Sequence, residues 1–201
     1  MGLKRISESS VLFIIGATLV FVSFVLGIVG IATPVWTQSS TIKNGTSVEY
    51  HSGLWRVCST IDRYHSMEET FCLSRIEASV EGWMQGVQTL EIVGLIFFVV
   101  GFVMTLALLL WSSNARLASA NPWVLLVAGI LLEVGVVIYV VKVDMNILGY
   151  SLYLTWVASN GVIVASIIIY CAERRNRRPT STTVFYAPSS NTNPVQISQP
   201  M

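Results

Sequence analysis

Four long runs of apolar residues, three of them without any charge, constrain this chain more than anything else in it. Val11–Ile31, Ile92–Trp111 and Leu148–Cys171 contain no Asp, Glu, Lys or Arg, and Trp123–Val141 contains only Glu133. Each run is about 19 to 24 residues long, enough at ~1.5 Å per residue to cross a hydrocarbon core of about 30 Å. The apolar residues are blocked rather than spaced at the period of an amphipathic helix or strand. With 53% hydrophobic and only 11% charged residues in 201, an ordinary soluble domain is excluded. The expected architecture is an all-α membrane domain over 1–178, with four spans at about 11–31, 87–111, 122–141 and 148–171, and a cytoplasmic tail over 179–201.

Charge sets the orientation. Lys4, Arg5, Arg116, Arg174, Arg175, Arg177 and Arg178 fall in the amino terminus, the short middle loop and the start of the tail. Four spans put all three segments on one side, and an excess of Lys and Arg marks that side as cytoplasmic. Both termini are then inside, in a multi-pass protein expected at the plasma membrane. The alternative for the first run is a signal peptide, since Gly30 and Ala32 are small residues near its end; its apolar stretch is longer than such peptides carry.

The segment over 32–86 then lies outside, and it holds most of the local chemistry. Val48, Tyr50, Leu54, Trp55 and Val57, punctuated by Gly45 and Gly53, are the residue types of short strands joined by turns. Cys58 and Cys72 are the two cysteines outside the spans. In an oxidising compartment such a pair reads as a disulfide before it reads as two free thiols, a metal site or a nucleophile. Asn44-Gly45-Thr46 is a glycosylation sequon on the side where topology places the lumen. His51 and His65 are too widely spaced and too poor in companion ligands for zinc, and no metal or other cofactor is expected.

Within the spans, polar residues are few. Ser23 and Gly27 are four apart, the small-xxx-small spacing that lets helix backbones approach closely. Glu91 is placed at the outer end of span two, where a carboxylate reaches water, and Asn121-Pro122 reads as the start of span three. Glu133 lies near the middle of that span. A carboxylate at such depth must face the bundle interior, be protonated or be paired, and it serves either as an interaction or permeation site or as a hydrogen bond to a Ser or Thr of a neighbouring helix. The second outer connection, Lys142–Gly149, is short enough to make spans three and four an antiparallel hairpin. The basic cluster after Cys171 anchors lipid headgroups. Cys171 itself is a candidate for palmitoylation, the alternative being an unmodified small apolar residue. Thr180–Met201, rich in Ser, Thr, Asn, Gln and Pro, has the composition of a disordered segment.

Trp36, Gly53-Leu54-Trp55, Cys58 and Cys72 together resemble the first-loop signature of the claudin, peripheral myelin protein and epithelial membrane protein superfamily. Trp83 to Gln88, Gly149-Tyr150-Ser151 and Leu154 to Ala158 are similar to the epithelial membrane protein branch, and the likeness extends from Lys4 to Arg178. The resemblance implies a left-handed four-helix bundle carrying a small extracellular antiparallel β-sheet, built mostly from the first outer loop with a contribution from the second. The tryptophans and Gly-Leu-Trp would seat the sheet, with Trp36 and Trp55 as amphipathic rings at the bilayer interface, and the cysteines would tie adjacent strands. Ser59 and Leu73 stand beside the cysteines, where ion-selective claudins tend to carry charge.

Three functions fit this reading. One is a non-enzymatic protein of cell junctions, adhesion or membrane organisation, partnered by the bilayer, by copies of itself, by a lateral membrane protein or by the same protein on an adjacent cell. A narrower version is a paracellular pore or barrier. The third is an auxiliary subunit of an ion channel or receptor. Nothing in the chain suggests nucleic acid binding. The outer carboxylates and histidines form no nucleophile–base pair, metal spacing or phosphate loop, so an enzyme is not expected, and the lack of inverted repeats disfavours a transporter.

Overall fold

The computed structural model describes residues 2–43, 46–63, 66–75, 81–110 and 115–177. Asn44, His65 and the tail over 179–201 lie outside the described residues. Four helices carry the apolar runs: α1 (Gly2–Ala32), α2 (Gly82–Leu110), α3 (Ala115–Lys142) and α4 (Tyr150–Arg177). All four are long and apolar enough to cross a membrane. Between α1 and α2 the chain forms β1 (Thr37–Lys43), β2 (Thr46–Ser52), β3 (Arg56–Arg63) and β4 (Ser66–Ser74), an antiparallel meander in the order β1-β2-β3-β4.

Helix limits depart from the sequence reading at three places. α1 starts at Gly2, nine residues before the expected span at 11. α2 starts at Gly82, five residues before the expected span at 87. Pro122 lies inside α3 rather than at its start. Proline removes one intrahelical hydrogen bond, and the turns before it are tied down at their ends. Ser119 Oγ donates to the Arg116 carbonyl at 3.0 Å, Arg177 Nη2 donates to the Ala115 carbonyl at 2.8 Å, and buried Asn121 donates to Thr105 Oγ1 of α2 at 3.0 Å.

Two antiparallel seams organise the bundle. α1 packs along α4 through small residues: Gly27 faces Ala158, Ser23 faces Gly161, and a methyl added at Gly30 would overlap the Thr155 hydroxyl. Ser23 and Gly27 thus sit on the packed face that their spacing suggests. α2 packs along α3 by a different chemistry. Its buried residues Met84, Val87, Glu91, Gly94, Phe98, Gly101 and Thr105 alternate in steps of three and four, one stripe of the helix. Gly94 receives Leu132, Gly101 receives Leu125, and Glu91 lies against Gly135. Between the seams, Phe24 of α1 stacks on Phe102 of α2 at 4.3 Å and meets Phe98 edge-on at 5.5 Å.

The connection from α3 to α4 is a 3₁₀ turn at Met145–Ile147, capped by the Asp144 carboxylate accepting from Asn146 N. Leu148 forms a single β-bridge with Thr37. The second outer loop thus contributes to the sheet through this bridge.

Candidate functional site

The sheet is held on the bundle by the residues between and before its strands. α1 ends at Ala32, so the carbonyls of its last turn have no partner within the helix. Two indoles fill that role: Trp36 Nε1 donates to Gly30 O at 2.8 Å and Trp55 Nε1 donates to Ile31 O at 3.0 Å. Trp36 is fully buried, with its ring edge-on to Tyr139 of α3 at 4.9 Å. Its place is inside the protein and not at the lipid interface that its amphipathic character suggested. An indole whose N–H meets a helix-end carbonyl no longer requires interfacial water.

All four helices share in this seat. Gln88 of α2 donates to the Leu54 carbonyl at 2.7 Å, and Leu54 is itself fully buried. Thr33 after α1 donates to Ser151 Oγ of α4 at 2.7 Å. Gly149 N donates to Trp36 O at 2.8 Å, and Ser151 N to Val35 O at 3.2 Å. Gly53 occupies a position where a methyl would meet the Pro34 backbone, so the turn between β2 and β3 closes onto the segment before β1. Arg75, just past β4, donates its backbone N–H to Trp55 O at 2.9 Å and its guanidinium to Ser52 Oγ at 2.5 Å. Arg75, Gln88 and Tyr139 were not singled out as seat residues by sequence; a lone cation three residues after Cys72 in a charge-poor chain was the available signal.

Above the seat, the register fixes the two faces of the sheet, since directly opposed residues point the same way. On one face Ser39, Tyr50, Ser59 and Phe71 form a row, flanked by Val57 opposite Leu73 and by Val48. Tyr50, Phe71 and Leu73 are 48%, 60% and 73% exposed. The other face is polar: Gln38, His51, Ser40, Glu49, Thr60 and Thr70 surround the Cys58–Cys72 disulfide, which joins directly opposed residues of β3 and β4. Thr60 and Thr70 are hydrogen-bonded at 3.2 Å, and His51 Nε2 lies 3.5 Å from Glu49. Among the described residues no cluster of three or more metal-binding side chains occurs.

The two carboxylates of the spans part company. Glu133 is paired across helices: it accepts from Trp156 Nε1 at 2.9 Å, Ser159 Oγ at 2.5 Å and Asn160 Nδ2 at 3.0 Å, all on α4. Its partners include a serine, as the hydrogen-bonding alternative expected, but it remains partly exposed on the outward side of α3 and α4. Glu91 contradicts its sequence reading. It is fully buried between α2 and α3, and neither carboxylate oxygen has a hydrogen-bond partner. The cause is the earlier start of α2 at Gly82, which places Glu91 about 13 Å along the helix and on its buried stripe. Cys171 is a free, exposed thiol in the last turns of α4, near Arg174, which lies 5.2 Å over the Tyr170 ring.

The model of one protein family, described as PMP-22/EMP/MP20/Claudin tight junction, matches residues 21–170. The chain belongs to this family. No individual curated protein matches it. The matched region runs from the middle of α1 to Tyr170 of α4 and includes the whole sheet and its seat. In this PMP-22/EMP/MP20/Claudin member the tryptophan and Gly-Leu-Trp elements are the hydrogen-bonded joint between a tetraspan bundle and its sheet.

Proposed function

We propose that this chain is a non-enzymatic adhesion or membrane-organising protein of the plasma membrane, with both termini cytoplasmic and the sheet outside. The observation that carries the reading is the uncovered apolar face of Tyr50, Phe71 and Leu73 on a rigidly seated sheet. Exposed apolar side chains gathered on one face mark a surface that meets another molecule. Seating by all four helices holds that face in a fixed orientation to the membrane, as contact between copies or between cells requires.

A charge-selective paracellular pore fits less well. The residues following the two cysteines are Ser59 and Leu73, neither of them charged.

The test is localisation in mixed cultures where only some cells express the protein. Enrichment only where two expressing cells touch supports homotypic adhesion, and a Phe71→Ser, Leu73→Ser double variant is expected to abolish it while still reaching the surface. Even distribution over the whole surface, unchanged in the variant, would overturn the adhesive reading.

A further inference from the structure

The polar group that no role of the sheet accounts for is Glu133. Its carboxylate accepts from three neutral donors of α4, and none of the four apolar runs contains a Lys or Arg that could approach it. A serine or glutamine would staple α3 to α4 without bringing a charge into hydrocarbon. The carboxylate is also not sealed in the bundle: Glu133 is partly exposed, Asn160 is exposed, and Trp156 is 48% exposed. Three or four residues away on the same helices, Ile130, Val137, Tyr153 and Val164 are exposed apolar side chains.

We propose that the outward α3–α4 surface around Glu133, Trp156 and Asn160 is a lateral docking site for a spanning helix of another protein that carries a lysine or arginine at matching depth. Charge complementarity selects this occupant. An anionic group at the lipid boundary is stabilised most by a cation brought in on an apolar helix, and the exposed indole beside it offers a second favourable contact to that cation. A second copy of this chain fits less well, because its spans have no cation to offer. Glu133 lies about 14 Å below Lys142, at the end of α3 nearest the sheet, so a headgroup amine of a phospholipid does not reach it without displacement. The inference is independent of what the sheet meets.

The test uses the full chain reconstituted in phosphatidylcholine bilayers and titrated with labelled single-span polyleucine peptides, read by energy transfer. One peptide carries Lys about 14 Å from its sheet-side end, a second carries Leu there, and a third carries Lys about 25 Å from that end, near the opposite boundary. The first is expected to associate about tenfold more tightly than the other two, and Glu133→Gln is expected to remove that preference. The comparison among peptides needs only the wild-type chain, so it stands whether or not the variant folds. Equal association of all three peptides would overturn the proposal. So would a lysine preference that ignores depth or survives Glu133→Gln in the folded variant. Energy transfer between copies of the chain that disappears in Glu133→Gln would assign the surface to self-association and overturn it equally.

Discussion

The indole N–H of Trp36 donates to the carbonyl of Gly30 at 2.8 Å, capping the end of the first spanning helix from the first residue of the outer segment to be fully buried. Trp55 caps the next carbonyl, Ile31. The family signature therefore acts at a helix terminus, where unpaired carbonyls would otherwise need water. Trp36→Phe keeps the ring against Tyr139 and removes the donor, leaving a buried acceptor unpaired at a cost of about 1–3 kcal/mol. Trp36→Ala also opens a cavity and should cost about 3–5 kcal/mol. Trp55→Phe should cost less than Trp36→Phe, because Trp55 is only partly buried and water can replace it. Unfolding midpoints in lipid nanodiscs would rank the three.

Gly149 and Gly86 make a matched pair. A methyl at Gly149 would overlap the Val35 carbonyl oxygen, whereas one at Gly86 meets nothing within 4 Å. Gly149→Ala is expected to destabilise by about 1–3 kcal/mol and to loosen the sheet. Gly86→Ala, on an open face of α2, is expected to be neutral or to stabilise by up to about 1 kcal/mol. Equal melting of the two variants would remove the argument that close approach of residues 35 and 149 holds the seat.

The Cys58–Cys72 bridge closes a loop of sequence separation 14. In the chain-entropy description a loop of that size contributes about 3 kcal/mol. Cys58→Ser and Cys72→Ser should each be retained in the secretory pathway, read by the glycosidase sensitivity of a tagged protein. Wild-type delivery of both would show that strand pairing alone suffices.

Glu91 presents two buried oxygens without partners. Glu91→Met keeps the approximate volume and removes the unpaired polar atoms, so it should raise the unfolding midpoint by the equivalent of about 1–3 kcal/mol. A fall of similar size would reveal a partner that Glu91 holds in the bilayer and that the Gly135 face accommodates.

Much of the architecture was legible because hydrocarbon imposes a coarse and unforgiving rule. Runs such as Ile92–Trp111 have no alternative to a spanning helix, and Val48 and Tyr50 of β2 and Val57 of β3 are residue types that favour strands. Depth was harder to read. The apolar run beginning at Ile92 placed Glu91 at the outer end of the span, yet the stripe of Glu91, Gly94, Phe98 and Gly101 is one packed face. Gln88 itself is polar because it serves the Leu54 carbonyl. Pro122 misled for a related reason: proline suits a helix start, but its neighbour Asn121 is spent on Thr105 of α2, within a helix already under way. Arg75 and Tyr139 join the seat through tertiary contacts between segments far apart in sequence, which no local pattern encodes.

The seam between α1 and α4 ties helices separated by more than a hundred residues of chain. Ser23, Gly27 and Gly30 find Gly161, Ala158 and Thr155 only after α4 has been translated. Until then α1 has its aromatic contacts with α2 but no cover for its small-residue groove, and the donors at Gly149 and Ser151 that fasten residues 35 and 36 have not left the ribosome. Maturation of the sheet's seat is thus a late event in biosynthesis, and a nascent chain halted before α4 exposes that groove to whatever the translocation machinery or a membrane chaperone presents.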